Sequence, residues 1–284
     1  MERISLEGFL SFGPREVTLE LGPLNILIGP NGSGKSNFIE ALAVLRAVPR
    51  DLPRPIRQGG GVRFFLWRGE SPAEAAKIAI VRSAGLLEVA TPGLRYHLWF
   101  GPEGSHFVVM DESMTEVRNG IEYLEYDQGN VRLRTADGTR VLLRKSIDTT
   151  QSILSQRRDP ESYPELSALA DELEKIRIYR KWCFGPDAPI RAACGADVRT
   201  DSLSEDFDNL PARLAVLCND AAFKRRLREL LRNLSPSFDD VNVVPEGGQL
   251  QLYLVDGGHS MPARRLSDGT LRFLALLAIL LDPS

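Results

Sequence analysis

Eight consecutive residues, Gly29-Pro30-Asn31-Gly32-Ser33-Gly34-Lys35-Ser36, carry the chemistry that is plainest in this chain. Two glycines separated by four residues, then lysine and a hydroxyl residue, form the spacing that cradles phosphates. Glycine admits positive φ and lets the main chain come close to a ligand. Successive N–H groups then face a concave anion site at the start of a helix. The Lys35 ammonium would meet the β and γ phosphates, and the Ser36 hydroxyl would ligate Mg²⁺. A second pattern, Leu266-Ser267-Asp268-Gly269-Thr270, stands at the start of the last apolar helix, with Ser267 a natural N-cap.

These residues must be positioned by regular elements. Segments 3–9 and 17–21 alternate as half-buried strands do. Residues 24–28 (LNILI) are almost all apolar and read as a strand covered on both faces. From Lys35 to Ala47 a helix is expected, with Phe38, Ile39, Leu42 and Leu45 on one face. The prolines and glycines of 49–61 read as a loop carrying Arg50, Arg54 and Arg57. Between about 77 and 145, short alternating segments separated by turn signals, with Asp137-Gly138 a hairpin turn, spell an antiparallel meander. Helices are expected over 151–158, 164–175, 209–217 and 220–234, strands over 241–244 and 249–255, and a closing helix over 270–281. The expected fold is α/β, a P-loop NTPase head with a mixed sheet, an antiparallel β subdomain and a helical lobe. Its expected parts are 1–147 (nucleotide-binding lobe with meander), 148–240 (helical lobe) and 241–284 (strands, second motif and last helix).

Composition narrows the class. Hydrophobic residues are 43% and charged residues 26%, as in ordinary globular proteins, which excludes disorder and collagen. Lys+Arg total 35 against 38 Asp+Glu, so the chain is not broadly basic like a nucleic-acid coat. Three unpaired-looking cysteines, Cys183, Cys194 and Cys218, read as reduced thiols. No apolar run reaches the length of a membrane span, and the N-terminus lacks the form of a signal peptide. A cytoplasmic location is expected.

The stretches GPNGSGKSN and LSDGT resemble the ABC-type P-loop ATPases, and Asn37 after Ser36 is similar to the RecF, SMC and OLD-like branch. LSDGTLRFLALLAILLDP is similar to the prokaryotic stand-alone AAA-family ATPases of that branch. The resemblance implies two ATP molecules, with Mg²⁺, sandwiched between two protomers. Asn31, Gly32, Ser33, Gly34, Lys35, Ser36 and Asn37 would hold ATP from one side. Ser267 and Gly269 would reach the γ phosphate from the opposite protomer, and Ser36 would ligate the metal. Gln58 is a candidate link from nucleotide to the helical lobe, with a solvated loop residue as the alternative. Ser11, Phe12 and Arg15 are candidates for a contact at the first strand turn. Implied partners are a second copy in an ATP-dependent homodimer, or a chain supplying a missing segment, with DNA and an effector nuclease as further candidates and no membrane.

One part of the pattern is not found. The Walker B strand, four apolar residues then Asp-Glu, should follow the second motif, and the sequence ends at Ser284. Val108-Val109-Met110-Asp111-Glu112 has the composition but lies inside the meander, ahead of the motif it should follow. No catalytic carboxylate is assigned. The expectation is an ATPase that dimerises on ATP in DNA maintenance or anti-phage defence, inactive as this chain alone. The alternative is an ATP-gated interaction module that does not hydrolyse by itself. Transport is disfavoured by Asn37. Lys224, Arg225, Arg226, Arg228 and Arg232 share one helix, read as a solvated face or a phosphate-backbone contact. Trp67, Trp99 and Trp182 read as core residues, and His97, His106 and His259 have no ligand spacing.

Overall fold

Alternation sets the first sheet. In β1 (Arg3–Glu7), Ile4 and Leu6 are fully buried while Arg3 faces outward. The computed structural model describes residues 1–70, 72–82, 93–127, 129–135, 138–142 and 147–282. It places β1 between β2 (Val17–Glu20) and β3 (Ala76–Arg82). The chain then runs up and down through β4 (Leu94–Glu103), β5 (His106–Glu116), β6 (Glu122–Asp127), β7 (Asn130–Thr135) and β8 (Gly138–Leu142). All pairings among the described residues of this sheet are antiparallel, as the period-2 pattern of the meander requires. The hairpin expected at Asp137-Gly138 joins β7 to β8, although Asp137 itself lies outside the described residues.

One face of the sheet carries Ile78, Tyr96, Leu98, Met114, Leu124 and Leu133, all buried. Helix α1 (Lys35–Ala47) adds Phe38, Ala41, Val44 and Leu45 to that core. The segment 49–61 is not wholly a loop. It forms α2 (Pro53–Gln58), followed by α3 (Val62–Phe65). Pro53 occupies the first turn, where its missing N–H breaks no bond, and Ile56 is buried. After the sheet come α4 (Ile153–Gln156) and α5 (Pro164–Glu174), whose Leu154, Leu166, Leu169 and Leu173 join the same core.

The second unit has its own core. Helices α6 (Leu210–Leu217) and α7 (Ala221–Leu234) precede β10 (Phe238–Glu246), β11 (Gln249–Asp256) and β12 (His259–Pro262), with the short β9 (Cys194–Gly195) pairing to β11. Helix α8 (Asp268–Leu280) buries Leu271, Leu274, Ala275 and Ala278. In α7 the expected face is buried at Phe223, Leu227 and Leu231, while Leu234 is 45% exposed in the last turn. The chain forms two compact units, Met1–Ile176 and Arg177–Ser284. Helices α4 and α5 lie with the sheet because their leucines pack in its core.

The segment 24–28 departs from its expected burial. It forms no strand, and Leu24, Ile26 and Ile28 are 72%, 76% and 88% exposed. Both edges of β1 are already taken by β2 and β3, and no described strand adds to this run. Hydrophobic sequence drives burial only where a partner surface exists. Of the tryptophans read as core, Trp99 departs from that reading, while Trp182 packs against the second core. Trp99 stands at the surface with the Lys77 ammonium 4.8 Å from its ring, and Trp182 is half-buried beside Phe184 and Phe207.

Candidate functional site

The phosphate loop follows Ile28 and ends on α1. Gly32 and Gly34 take φ of 83° and 89°, the left-handed region that a side chain would strain. At Gly34 space is limiting too, since a methyl group there would stand 2.7 Å from Ser11 Oγ. The turn after β1 therefore sits against the loop, which places Ser11 beside it. Phe12 packs against the core instead, and Arg15 is exposed. Gly34 is the N-cap of α1 and supplies no side-chain cap. The first-turn N–H groups of a helix have no intrahelical acceptors, so an uncapped start favours an anion. Lys35 Nζ folds over the loop, donating to Gly29 O and Pro30 O, each at 2.7 Å, and to Ser33 Oγ at 3.2 Å. Asn31, Ser33 and Ser36 are exposed, and Asn37 is half-buried in the first turn of α1.

The second motif lies in the other unit. Ser267 caps α8, its Oγ accepting from Thr270 N at 3.1 Å and sharing a hydrogen bond with Thr270 Oγ1 at 2.8 Å. Ser267, Asp268 and Gly269 are all exposed. Gly269 has neither a left-handed φ nor crowding to explain it, because a methyl group there would meet only Ser267 Oγ, at 3.8 Å. Gln58 is exposed at the end of α2, ahead of Gly60 and Gly61, whose φ values are 93° and 104°.

Residues 111 and 112 show what the apolar-Asp-Glu run in the meander does. Glu112 is fully buried and accepts from Ser152 Oγ at 2.6 Å, Ile153 N at 2.7 Å and Tyr96 Oη at 3.0 Å. It tethers the start of α4 to the sheet. Asp111 lies one residue away on the opposite face of β5, 3.2 Å from His97 Nδ1. Burial pushes the Glu112 carboxyl up to about 7, against hydrogen bonds from Ser152, Ile153 and Tyr96 that favour its charged form. Because the folded value lies above the unfolded value of 4.5, this group's contribution is full below about pH 4.5 and is lost as pH rises through about 7. Thermal stability of the wild type should therefore fall from pH 5 to pH 8 by up to about 3 kcal/mol through this group alone. Glu112→Gln should flatten that part of the Tm-versus-pH curve. An unchanged slope in the variant would assign the pH dependence to other groups.

A family model described as "AAA domain, putative AbiEii toxin, Type IV TA system" matches residues 24–169, half of the chain and the whole phosphate loop. The chain belongs to that family. It is a P-loop ATPase of α/β fold, an ATP-binding module. No curated protein matches it. Among solved structures it is similar to an Smc head bound to the C-terminal winged-helix domain of ScpA, at 18% identity and TM-score 0.49, covering 98% of this chain and 75% of that one. It is also similar to a Pyrococcus furiosus Smc head with an extended coiled coil bound to the C-terminal domain of ScpA. That match has 16% identity and TM-score 0.39, covering 98% and 77% of the two chains. A third similarity is to an SMC ATPase described for ATP-driven dimerisation and DNA-stimulated activation, at 22% identity and TM-score 0.30 over 43% of this chain and 70% of that one.

The AAA domain's loop fits the nucleotide its family binds. Left-handed Gly32 has open space around it, the α1 start is uncapped, and Lys35 is parked on loop carbonyls from which it can turn to a phosphate. Asn31 to Ser36 would hold the phosphates and Ser36 Oγ would ligate Mg²⁺, which would supply charge neutralisation there. Among the described residues no cluster of His, Cys, Asp and Glu forms another metal site. The three cysteines are free thiols. Among the described residues no helix is long and apolar enough to cross a membrane. On α7, Lys224 and Arg228 pair with Asp240 and Arg226 pairs with Glu229, so much of that charge is balanced locally.

Proposed function

We propose that this AAA domain is an ATP-driven association module. The loop Asn31–Asn37 holds ATP and Mg²⁺ in one copy, and Ser267 and Gly269 of a second copy close on the γ phosphate. The observation that supports this most is Gly269. It sits exposed in the first turn of α8, where neither φ nor crowding demands glycine. A bare N–H surface that the fold itself does not need suits close approach by an outside anion. Gln58 and Asn37 take part as contacts to the nucleotide side.

The module hydrolyses ATP once a water-orienting carboxylate joins the site. Asp111 and Glu112 are committed elsewhere, which favours slow turnover by this chain alone and gating as its immediate output. The exposed run Leu24–Ile28 is the docking edge for a strand that a partner chain supplies. The role we assign is cytoplasmic anti-phage defence, supported by the toxin named in the family description; DNA maintenance is the second reading, resting on exposed Arg225 and Arg232 of α7. Sedimentation of the purified chain tests the core of the proposal. With saturating ATP and Mg²⁺ the mass should double, and with ADP it should not. A monomer under both conditions rejects the association reading, and sustained phosphate release near 1 s⁻¹, an ordinary enzymatic rate, rejects the gating one.

A further inference from the structure

Arg191, like Arg213, is a nearly buried arginine of the second unit. Its side chain is 9% exposed, and all three of its nitrogens are engaged. Nε donates to Phe184 O at 2.9 Å and Gly185 O at 3.0 Å. Nη1 donates to Leu266 O at 2.7 Å and, more weakly, to Arg264 O and Ala263 O at 3.3 and 3.4 Å. Nη2 donates to the carboxylate of Asp268. The residue arises from a short 3₁₀ turn, Pro189–Arg191, far from the second motif in sequence. Its fork nevertheless gathers the carbonyls of the loop that leads into Ser267. Beside it, the Arg272 guanidinium lies 5.2 Å from the ring of Phe184, whose carbonyl Arg191 holds.

Two physical consequences follow. A guanidinium bonded to the carbonyls of Ala263, Arg264 and Leu266 fixes the path of the loop, and with it the orientation of the Ser267 hydroxyl and the first N–H groups of α8. The second consequence is electrostatic. Asp268 is the first residue of α8 and its side chain is 62% exposed. A carboxylate there stabilises the free helix through the helix dipole, but it opposes any anion approaching Ser267 and Gly269. Arg191 is the cation that offsets it.

We propose that Arg191 is the positioning residue of the second motif: it holds the loop before Ser267 and neutralises Asp268, so that the α8 N-terminus of one copy accepts the γ phosphate bound to another. This inference rests on the association reading above and deepens it by naming the residue that makes an acidic helix start compatible with a phosphate. Arg191 does not itself touch the nucleotide.

The test uses the full chain and two readouts. One is affinity for a fluorescent ATP analogue, which reports the Lys35 loop. The other is ATP-dependent dimerisation by sedimentation. Arg191→Ala should leave nucleotide affinity unchanged and weaken dimerisation about tenfold, because the loop before Ser267 loses its charge-assisted carbonyl bonds and Asp268 is left without its cation. Asp268→Asn should do the reverse, tightening dimerisation about threefold, because a charge opposing the phosphate is removed while the carbonyl bonds of Arg191 remain. The double variant should dimerise better than Arg191→Ala alone. A merely structural ion pair predicts the opposite sign for Asp268→Asn, namely weakening or no change, and either result overturns the proposal. If Arg191→Ala does not fold, the sign of the Asp268→Asn effect decides alone. Dimerisation of all variants equal to wild type overturns the role of Arg191 and spares the association reading. A wild type that binds ATP but never dimerises overturns both.

Discussion

Lys35→Ala should weaken ATP binding by at least about tenfold, since one or two charge-assisted hydrogen bonds of about 1.5–3 kcal/mol each are lost. The fold should survive. The bonds that Lys35 makes are confined to its own loop, at Gly29, Pro30 and Ser33, and alanine is the better helix former at the first position of α1. Calorimetric titration with ATP and Mg²⁺ separates the outcomes. Lys35→Arg is the informative companion. It keeps the charge but replaces a compact ammonium by a planar fork that the loop carbonyls do not match, and it should recover only part of the affinity. Unchanged affinity in Lys35→Ala would remove the phosphate loop from nucleotide binding altogether.

Ser267→Arg should abolish ATP-dependent dimerisation while leaving ATP affinity at the Lys35 loop within about twofold, a shift smaller than that of one hydrogen bond. The serine is exposed, so a long side chain fits without disturbing the core. It loses the cap on Thr270 N, at a cost near 1 kcal/mol to α8. Ser267→Asn controls for this, because asparagine caps as well as serine without the added length. Sedimentation with ATP should show Ser267→Arg as a monomer at concentrations where the wild type is a dimer. Dimerisation as strong as wild type would detach Ser267 from the interface.

The features legible in the sequence are those fixed by near neighbours. The phosphate loop depends on eight contiguous residues, and the meander on a period of two that survives from β3 to β8. The N-cap at Ser267 is likewise local. Glu112 was legible in part. It is two residues before Met114 on one strand, so parity puts both on the buried face, a signal that the resemblance to an apolar-Asp-Glu strand obscured. Helix α2 was masked by its prolines, which are tolerated because they fall in its first turn. The role of Arg191 at the second motif was illegible, because the partners that matter there, Leu266 and Asp268, lie more than seventy residues away. The exposure of 24–28 was illegible for a different reason. An apolar run states a preference for burial and says nothing about whether a neighbouring strand is at hand.

The run Leu24–Ile28 ends one residue before Gly29, where the phosphate loop begins. On its far side the loop is anchored by α1, whose Phe38 and Ala41 are buried. On its near side runs the exposed, mostly apolar chain of 24–28. Ordering that chain costs conformational entropy of roughly 1–2 kcal/mol per residue, a cost shared by anything that needs the loop to hold one shape. A strand laid along 24–28 would meet part of this cost in advance and so raise affinity for ATP. By thermodynamic reciprocity, ATP would raise the affinity for that strand by the same factor. Nucleotide and neighbour would then act as mutual effectors across the single peptide bond between Ile28 and Gly29, and the concentration of ATP would set how often the edge is covered, before any phosphate is cleaved.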